Sequence, residues 1–401
     1  MALRETLTDL VAIDSVSSRS NVEIINYLSR RCEALGLRTR QFPYTDSNGA
    51  EKINLIALAG ADFSEASSTS RRQREAAEKM FALPAQVELP TAQVELALVG
   101  HTDTVPYDPN WRDALQLTER DGKLFGRGAC DTKAFIAAAL TAAEKIDRQL
   151  LSRPFALVFT ADEEIGLIGA KRLAETRAIR SRYAIVGEPT SLRPMRAGKG
   201  YCLAEIKITG REAHSAYPQL GRSAVFGAAR LISALETIAK KLENEQHAAF
   251  DPAYTTLNVG LLHGGTAKNV IAGECRFTLE WRTIPGQPPE RLLELLQAAI
   301  DDEQRRDPEF TCEVEAARAD SGFETSAGSK VVTMLEALTG NSAGTVAFGT
   351  EAAQLTELGA ETVVIGPGDI RVAHRTGEFV PLAELEACVE VLQQSINRLC
   401  T

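Results

Sequence analysis

The sequence lacks the features that mark membrane, secreted or nucleic-acid-binding proteins. No run of the chain approaches the ~20 consecutive apolar residues that are needed to cross a bilayer. The first residues lack the long apolar core of a signal peptide. The net charge is −10, and because binding to phosphates needs a basic surface, we expect no nucleic-acid partner.

Cysteine and histidine are both scarce. The seven cysteines are scattered, odd in number and contain no C-x-x-C pair. This pattern argues against a disulfide framework or a zinc–cysteine site, and it predicts reduced thiols in a cytoplasmic protein. There are five histidines, of which His101 and His374 follow predicted strand ends beside carboxylate residues. His247 and His263 belong to no motif, and we interpret them as structural.

The residues that are abundant predict an α/β fold. With 401 residues, 44% hydrophobic and 24% charged, the chain can form two domains with buried cores. Short apolar runs predict strands at 94–100, 155–160, 183–187 and 362–366, and a helix is predicted at 131–146. Strands that alternate with helices predict a mostly parallel sheet with flanking helices. Ligands of such sheets bind beyond the carboxyl ends of the strands.

Residues 193–305 differ in character and predict a smaller, inserted α+β domain. Apolar side chains at positions 275, 277, 279 and 281 alternate with polar ones, which is typical of a half-buried strand. Helices are predicted at 223–242 and 289–300. An exposed sheet or helix edge of this domain is a candidate dimer surface.

The predicted domain order follows from this insertion. Residues 1–192 form the first part of a catalytic domain and residues 306–401 its second part, with the inserted domain between them. A polar, charge-rich segment at 61–90 interrupts the first part and predicts a long surface excursion. We assign that excursion no role.

Several strand ends and turns carry residues that commonly bind metals. They are His101, Asp131, the pair Glu163 and Glu164, Glu188, and His374. Imidazole and carboxylate groups without cysteine suit Zn²⁺, Co²⁺ or Mn²⁺. One tetrahedral zinc takes three protein ligands and a water, so this larger set predicts two ions that share a bridging carboxylate.

Two further features predict supporting chemistry near the metals. Asp103 lies two residues after His101 on the same side of a strand, where its carboxylate can accept the second imidazole N–H; the alternative is a turn-capping aspartate before Pro106. Glu163 and Glu164 are adjacent, so their side chains point in different directions. One can bind metal while the other acts as a general base; the alternative is an acidic pair that caps the next helix.

Five motifs in chain order resemble those of the M20 metallopeptidase family. They are His101-Thr-Asp-Thr-Val-Pro, Gly126-Arg-Gly-Ala-Cys-Asp131-Thr-Lys, Asp162-Glu-Glu-Ile-Gly, Val186-Gly-Glu188-Pro-Thr and Ala373-His374. The resemblance covers nearly the whole chain. It implies a two-metal hydrolase that cleaves the amide bond of an N-acyl amino acid, with Zn²⁺ as the expected metal and Co²⁺ or Mn²⁺ as alternatives.

The resemblance also implies a role for each motif residue. It implies one metal on His101 and Glu188, a second on Glu164 and His374, a bridge at Asp131, a general base at Glu163 and an orienting acid at Asp103. Family members often hold the peptide after the bridging aspartate in cis, which implies a cis bond between Asp131 and Thr132.

The inserted segment resembles the small dimerisation domain of the family, which implies a homodimer. Gly210-Arg-Glu-Ala-His214-Ser resembles the motif whose histidine donates to the developing oxyanion in the partner subunit's site. Whether His214 acts in its own or the partner site stays open. The segment around Asn269 resembles a substrate-contacting loop. Arg282 resembles the arginine that binds substrate, and its fork suits an α-carboxylate, although it also fits an ordinary exposed strand position.

The segment Phe348-Gly-Thr350-Glu351-Ala is most similar to family members that convert N-acetyl-L-ornithine to L-ornithine and acetate, a reaction of arginine biosynthesis. This implies substrate contacts at Thr350 and Glu351, with Glu351 facing the cationic tail. A succinyl-diaminopimelate desuccinylase is an alternative, in which Lys133 or Lys199 meets the second carboxylate. A broader N-acyl-amino-acid amidohydrolase or carboxypeptidase and, more distantly, an inactive dimeric binding protein are the others.

Overall fold

The computed structural model describes residues 3–63 and 92–401. The predicted excursion at 61–90 therefore lies, from residue 64 onward, outside the described residues. The chain divides into two compact units. Unit 1 comprises Met1–Arg196, Thr325–Ala343 and Thr350–Thr401, and unit 2 comprises Ala197–Glu324 and Gly344–Gly349.

The described residues form eighteen β-strands and nine α-helices. The strands are Arg38–Thr45 (β1), Glu51–Ala59 (β2), Ala92–His101 (β3), Thr118–Arg120 (β4), Lys123–Phe125 (β5), Phe155–Thr160 (β6), Ile179–Val186 (β7), Met195–Gly198 (β8), Tyr201–Thr209 (β9), Ala213–His214 (β10), Thr256–Gly264 (β11), Val270–Ile271 (β12), Glu274–Arg282 (β13), Thr311–Asp320 (β14), Phe323–Glu324 (β15), Gly344–Val346 (β16), Glu361–Val364 (β17) and Phe379–Pro381 (β18). The helices are Leu3–Ala12, Val22–Ala34, Lys133–Glu144, Ile168–Glu175, Ala224–Leu242, Arg291–Arg306, Lys330–Thr339, Ala352–Glu357 and Leu382–Cys400. None of these helices is long and apolar enough to pass through a membrane.

The main sheet of unit 1 has the strand order β1-β2-β6-β3-β7-β17. Strands β6, β3, β7 and β17 run parallel, and β1 and β2 continue the sheet in antiparallel pairs. Every residue of β6 is buried, so both faces are covered at the centre, which explains the continuous apolar run in the sequence. The predicted α/β class, with a mostly parallel sheet and flanking helices, is confirmed.

The alanine-rich helix Lys133–Glu144 brings the start of a helix to the functional end of this sheet. It packs against β3 and against the C-terminal helix Leu382–Cys400. Two glycines permit the close approach: a Cβ on Gly100 would lie 3.3 Å from the Phe135 ring, and a Cβ on Gly187 would overlap that ring. The first turn of the helix therefore lies beside the carboxyl ends of β3 and β7.

Unit 2 contains an antiparallel sheet of order β11-β13-β9-β14. The helices Ala224–Leu242 and Arg291–Arg306 contribute to the same apolar core as its strands. The alternating residues that predicted a half-buried strand all lie in this core: Cys275, Phe277, Leu279 and Trp281. Unit 2 is thus an α+β unit within the chain of unit 1.

Unit 2 ends later in the chain than the predicted insert of 193–305. Strand β14 pairs with β9 along its length, so the chain remains in the small sheet for one more strand after residue 306. Most residues of β14 are exposed. Cys312, Val314 and Ala316 alternate with Glu313 and Glu315, a strand pattern that the predicted boundary at 305 did not use. The chain re-enters unit 1 at Thr325, and Gly344–Gly349 also belongs to unit 2.

Candidate active site

The predicted metal-binding side chains of unit 1 follow the carboxyl ends of its four parallel strands. His101 ends β3, Glu163 and Glu164 follow β6, Glu188 follows β7, and His374 lies in the segment after β17. Because the ends of neighbouring parallel strands share one edge of a sheet, these residues converge although they are distant in sequence.

Asp131 lies between the two histidines. Its Oδ1 is 3.0 Å from Nε2 of His101, and its Oδ2 is 3.1 Å from Nε2 of His374. Nε2 of His374 is also 3.0 Å from Oε2 of Glu164. Ligand atoms of His101, Asp131 and Glu164 all lie within 4.8 Å of one another. The peptide bond between Asp131 and Thr132 is cis, as the family resemblance implied.

His101 is held differently from the prediction. Its Nδ1 lies 3.0 Å from the main-chain oxygen of Asp103, whereas the Asp103 carboxylate is 3.7 Å away, beyond hydrogen-bond distance. The reason is that β3 ends at His101, so strand alternation no longer directs the Asp103 side chain. A carbonyl only accepts, so Nδ1 carries a proton, and Nε2 is the nitrogen that faces Asp131 and can bind a metal.

The Asp103 carboxylate instead holds the turn that carries the two glutamates. It accepts the N–H of Glu163 at 3.1 Å and the N–H of Glu164 at 3.2 Å. Of the two glutamates, Glu164 contacts His374 through its carboxylate. The Glu163 carboxylate makes no hydrogen bond to another side chain among residues 3–63 and 92–401. The two glutamates therefore have different surroundings, as their adjacency predicted.

Two residues of the site have a left-handed backbone. Asp162 has φ of 56° and His374 has φ of 59°. Side chains other than glycine adopt this region at a cost, and they persist in it where surrounding contacts hold them. Asp162 accepts hydrogen bonds from Lys52 and Tyr44, and His374 contacts Asp131 and Glu164.

Five acidic side chains are close enough to influence one another's charge, and we call them the carboxylate cluster: Asp131, Glu163, Glu164, Glu188 and Glu351. Burial raises the pKa of Glu163 and of Glu188 well above the ordinary value, and neighbouring carboxylates raise it further. Burial also raises the pKa of Asp131, but its hydrogen bonds with His101 and His374 outweigh burial and hold the pKa below its usual range.

The pKa of His374 shifts in the opposite direction to that of Asp131. Hydrogen bonds to Asp131 and Glu164 raise its pKa to about 10. The nearby cations of the chain have other partners, since Lys52 pairs with Asp162 and Arg127 with Glu378, each at 2.5 Å. A cluster of buried carboxylates and two imidazoles thus offers oxygen and nitrogen donors together with excess negative charge, which fits divalent cations.

Glu351 is an acid buried at the same end of the sheet. Its side chain is 1% exposed, and neither carboxylate oxygen is paired within the described part of the chain. Burial raises its pKa to about 7, against the opposing effects of His101 and of the nearby Thr160 hydroxyl, which does not reach hydrogen-bond geometry. Thr350, predicted with it, is also buried, and its hydroxyl accepts the N–H of Ala352 at the start of a short helix.

The remaining predicted residues lie in unit 2. His214 and Asn269 are exposed and close together, because β10 pairs with β12 and the N–H of Ser215 donates to the oxygen of Asn269 at 3.0 Å. Arg282 is engaged: its Nε donates to Glu280 at 2.6 Å, and its guanidinium lies 3.7 Å from the centre of the Tyr201 ring.

A further acid at the site, Glu378, was not predicted from the sequence. Its carboxylate accepts the N–H of Cys130 at 2.9 Å and the N–H of Asp131 at 3.0 Å, while it pairs with Arg127. These contacts fix the backbone at Asp131 from a position far along the chain. The sequence offered one weak signal, Arg127, which precedes Asp131 in the same motif. An arginine that becomes buried needs an acidic partner.

Known proteins resemble the chain over most or all of its length. Residues 97–398 match the family model described as peptidase family M20/M25/M40. An acetylornithine deacetylase from Myxococcus xanthus is 49% identical over 400 residues, which cover 100% of this chain and 98% of that protein.

Solved structures share the fold. A tripeptidase from Staphylococcus aureus has a TM-score of 0.73 and 24% identity, covering 99% of this chain and 97% of that one. A dinuclear metal-binding peptidase of the M20 family from Bacillus subtilis has a TM-score of 0.61 and 15% identity, covering 99% and 97%.

The carboxylate cluster predicts how the stability of the metal-free protein depends on pH. Burial raises the folded-state pKa of Glu351 from 4.5 to about 7, so the folded state binds more protons than the unfolded state in this range. The stabilising contribution of Glu351 is therefore present below pH 4.5 and is lost as pH rises through about 7. Urea unfolding of chelator-treated protein should show a free energy of unfolding that falls over this window. Glu351→Gln should make the fall shallower, and an unchanged slope would contradict the prediction.

Proposed function

The chain belongs to peptidase family M20/M25/M40, and on that premise we propose that it hydrolyses N-acetyl-L-ornithine to L-ornithine and acetate. It is a metal-dependent amidohydrolase. The observation that carries the substrate assignment is the 49% identity, over the whole chain, to a protein named acetylornithine deacetylase. We place this reaction in the cytoplasm, which is supported by seven cysteines that are all free.

Two divalent cations are proposed to bind at the carboxylate cluster, with Zn²⁺ favoured over Co²⁺ or Mn²⁺. His101 and Glu188 would hold one, Glu164 and His374 the other, and Asp131 would bridge them. The two oxygens of Asp131 support this arrangement, because each faces a different imidazole. When bound, the ions supply Lewis-acid polarisation of the amide carbonyl and make water acidic enough to attack near neutral pH.

Glu163 is proposed as the general base. Its carboxylate takes a proton from the attacking water while the water oxygen bonds to the acetyl carbonyl carbon. The C–N bond then breaks, and Glu163 returns the proton to the leaving nitrogen of ornithine. One feature supports this role: the Glu163 carboxylate, unlike that of Glu164, makes no hydrogen bond to a histidine among the described residues.

A homodimer is proposed to form through the edge of unit 2. Strand β11 lies at the end of its sheet, and Leu261 and Leu262 on it are 58% and 53% exposed. Phe226 at the start of the adjoining helix is 71% exposed. An apolar edge strand has unpaired main-chain groups and can pair with the same strand of a second copy. We propose that His214 donates to the oxyanion across this dimer.

Substrate recognition is proposed to use charges at both ends of the molecule. The guanidinium of Arg282 would bind the α-carboxylate, with Asn269 beside the amide, and Glu351, near Thr350, would meet the cationic tail. The unpaired oxygens of Glu351 support this assignment, because a buried acid without a partner can receive an ammonium group.

The lysines required by the desuccinylase alternative have other partners. Nζ of Lys133 donates to the oxygen of Ile13 at 2.9 Å. Nζ of Lys199 donates to the oxygens of Pro252 and Tyr254 at 2.8 and 2.6 Å. Both ammonium groups thus already donate to main-chain oxygens, and we take these contacts to favour the acetyl substrate.

The first test separates the metal ligands from the base. Chelation should abolish activity, and added Zn²⁺ or Co²⁺ should restore it. Glu164→Ala, like His101→Ala, should lose bound metal in elemental analysis. Glu163→Ala should keep the metal and lose roughly 10²–10⁴ in kcat, the contribution of general base catalysis. If the two glutamate variants showed the reverse of these results, Glu163 would be the metal ligand and Glu164 the base.

The dimer is tested by complementation. Inactive His214→Ala subunits mixed with inactive Glu163→Ala subunits should regain part of the activity, because one site of each heterodimer then has both intact groups. Phe226→Glu should weaken the dimer in sedimentation analysis. No regained activity despite measured subunit exchange would place His214 in its own subunit's site or outside catalysis.

Matched substrates test the assignment of Glu351. We expect kcat/KM for N-acetyl-L-ornithine to exceed that for N-succinyl-diaminopimelate by at least about tenfold. Glu351→Gln should lower kcat/KM for N-acetyl-L-ornithine by roughly 10²-fold, since the cation loses its partner. The same substitution should leave kcat/KM unchanged for N-acetyl-L-norvaline, which lacks the terminal amine. Equal losses of kcat/KM on the ornithine and norvaline substrates would show that Glu351 does not recognise the cationic tail. A higher kcat/KM for the succinyl substrate would assign the chain to the desuccinylases.

A further inference from the structure

A hydrogen-bond network behind the site holds the turn that carries Glu163 and Glu164. Asp162, the residue before them, is fully buried, and both of its carboxylate oxygens have donors. Nζ of Lys52 lies 2.5 Å from Oδ1, and the hydroxyl of Tyr44 lies 2.9 Å from Oδ2. The first residue of the turn is therefore fixed through its side chain.

The next two residues of the turn are fixed through their main chain. The N–H groups of Glu163 and Glu164 donate to separate oxygens of Asp103. Three consecutive residues are thus each held by a buried partner, and the turn has little freedom to redirect the Glu163 or Glu164 side chain.

Ser17 joins these two sets of contacts. Its hydroxyl donates to Oδ2 of Asp103 at 2.7 Å, and its carbonyl oxygen accepts from Nζ of Lys52 at 2.5 Å. Ser17 is 3% exposed and Lys52 is 1% exposed, so water does not replace either contact. A displacement of Ser17 would move Asp103 and Lys52 together, and with them all three residues of the turn.

We propose that Ser17 and Lys52 are positioning residues for Glu163. Neither belongs to the proposed metal ligands or substrate contacts, and they act by holding the turn of residues 162–164 so that the Glu163 carboxylate meets the attacking water in line for proton transfer. This inference rests on the proposed function, in which Glu163 is the base. Proton transfer requires the base within hydrogen-bond reach, and a ~1 Å displacement caused by a change away from the chemistry can cost about 10²-fold in rate.

Ser17→Ala is the gentlest test, and Ser15→Ala is its matched control. Ser15 lies in the same segment and is equally buried, but its hydroxyl has no hydrogen-bond partner within the described part of the chain. With the N-acyl amino acid that the unmodified chain hydrolyses best, Ser17→Ala should lower kcat about tenfold, as expected for a lost hydrogen bond to a carboxylate. KM should change less than about twofold and metal content should stay at the unmodified level. Ser15→Ala should leave all three quantities unchanged.

Lys52 is tested by a pair of substitutions, because Lys52→Met alone leaves a buried carboxylate unpaired and can prevent folding. Lys52→Met combined with Asp162→Asn removes both charges of the pair, and the amide oxygen introduced at position 162 can still accept from Tyr44. The Asp46 carboxylate, 4.0 Å from Nζ of Lys52, keeps its hydrogen bonds from the N–H groups of Asn48 and Ala50. We expect the double variant to fold with a thermal midpoint close to that of the unmodified chain, yet to keep kcat at least about tenfold low.

The outcomes separate positioning from fold stability. A Ser17→Ala variant with unchanged kcat would overturn the proposal, and so would a double variant with kcat restored. A rise in KM or a loss of metal without a fall in kcat would also overturn it, since the network would then serve binding. The proposed function is judged separately, by whether the unmodified chain hydrolyses N-acetyl-L-ornithine.

Discussion

Mutual repulsion among buried carboxylates is the constraint on which the site depends. The carboxylate cluster lies at one end of the parallel sheet, where burial makes each negative charge costly and each neighbour adds to that cost. Among the described residues, only two imidazoles, those of His101 and His374, contact the cluster. Lys52 and Arg127 lie nearby but pair with other acids. The remaining negative charge of the cluster must be neutralised by protons or by bound cations. This explains why the ligand atoms are held in place by surrounding hydrogen bonds and why the site fits divalent ions so well.

Most positions of the cluster were predictable because they directly follow strands that the sequence itself reveals. Apolar runs predict the four parallel strands, and in such a sheet the residues that follow each strand meet at one edge. His101, Glu188 and the two glutamates lie so close to the ends of their strands that no further knowledge was needed. His374 was harder, since it lies beyond the last strand and reaches the site through a left-handed turn.

The residues that support the cluster were not predictable in the same way. Glu378 caps the backbone at Asp131 from the far end of the chain, and Lys52 reaches Asp162 from another strand. Such contacts depend on tertiary packing and leave no local periodicity. Asp103 illustrates the limit: the sequence places it beside His101, but the strand ends before it, and its carboxylate serves the glutamate turn instead. Strand β14 was missed although Cys312, Val314 and Ala316 alternate with glutamates, because so short a pattern on a mostly exposed strand does not show which sheet it joins.

The insertion of unit 2 into unit 1 has a consequence for how the protein emerges from the ribosome. All four strands of the small sheet are complete once Asp320 has been synthesised, so unit 2 can close while the chain is still growing. Unit 1 cannot, because β17, His374 and Glu378 are translated later than unit 2. Until then Glu164 at the end of β6 lacks its contact with His374, and Asp131 lacks the Glu378 carboxylate that holds its backbone. Translation order thus keeps the metal centre open until β17 and the segment that follows it have appeared.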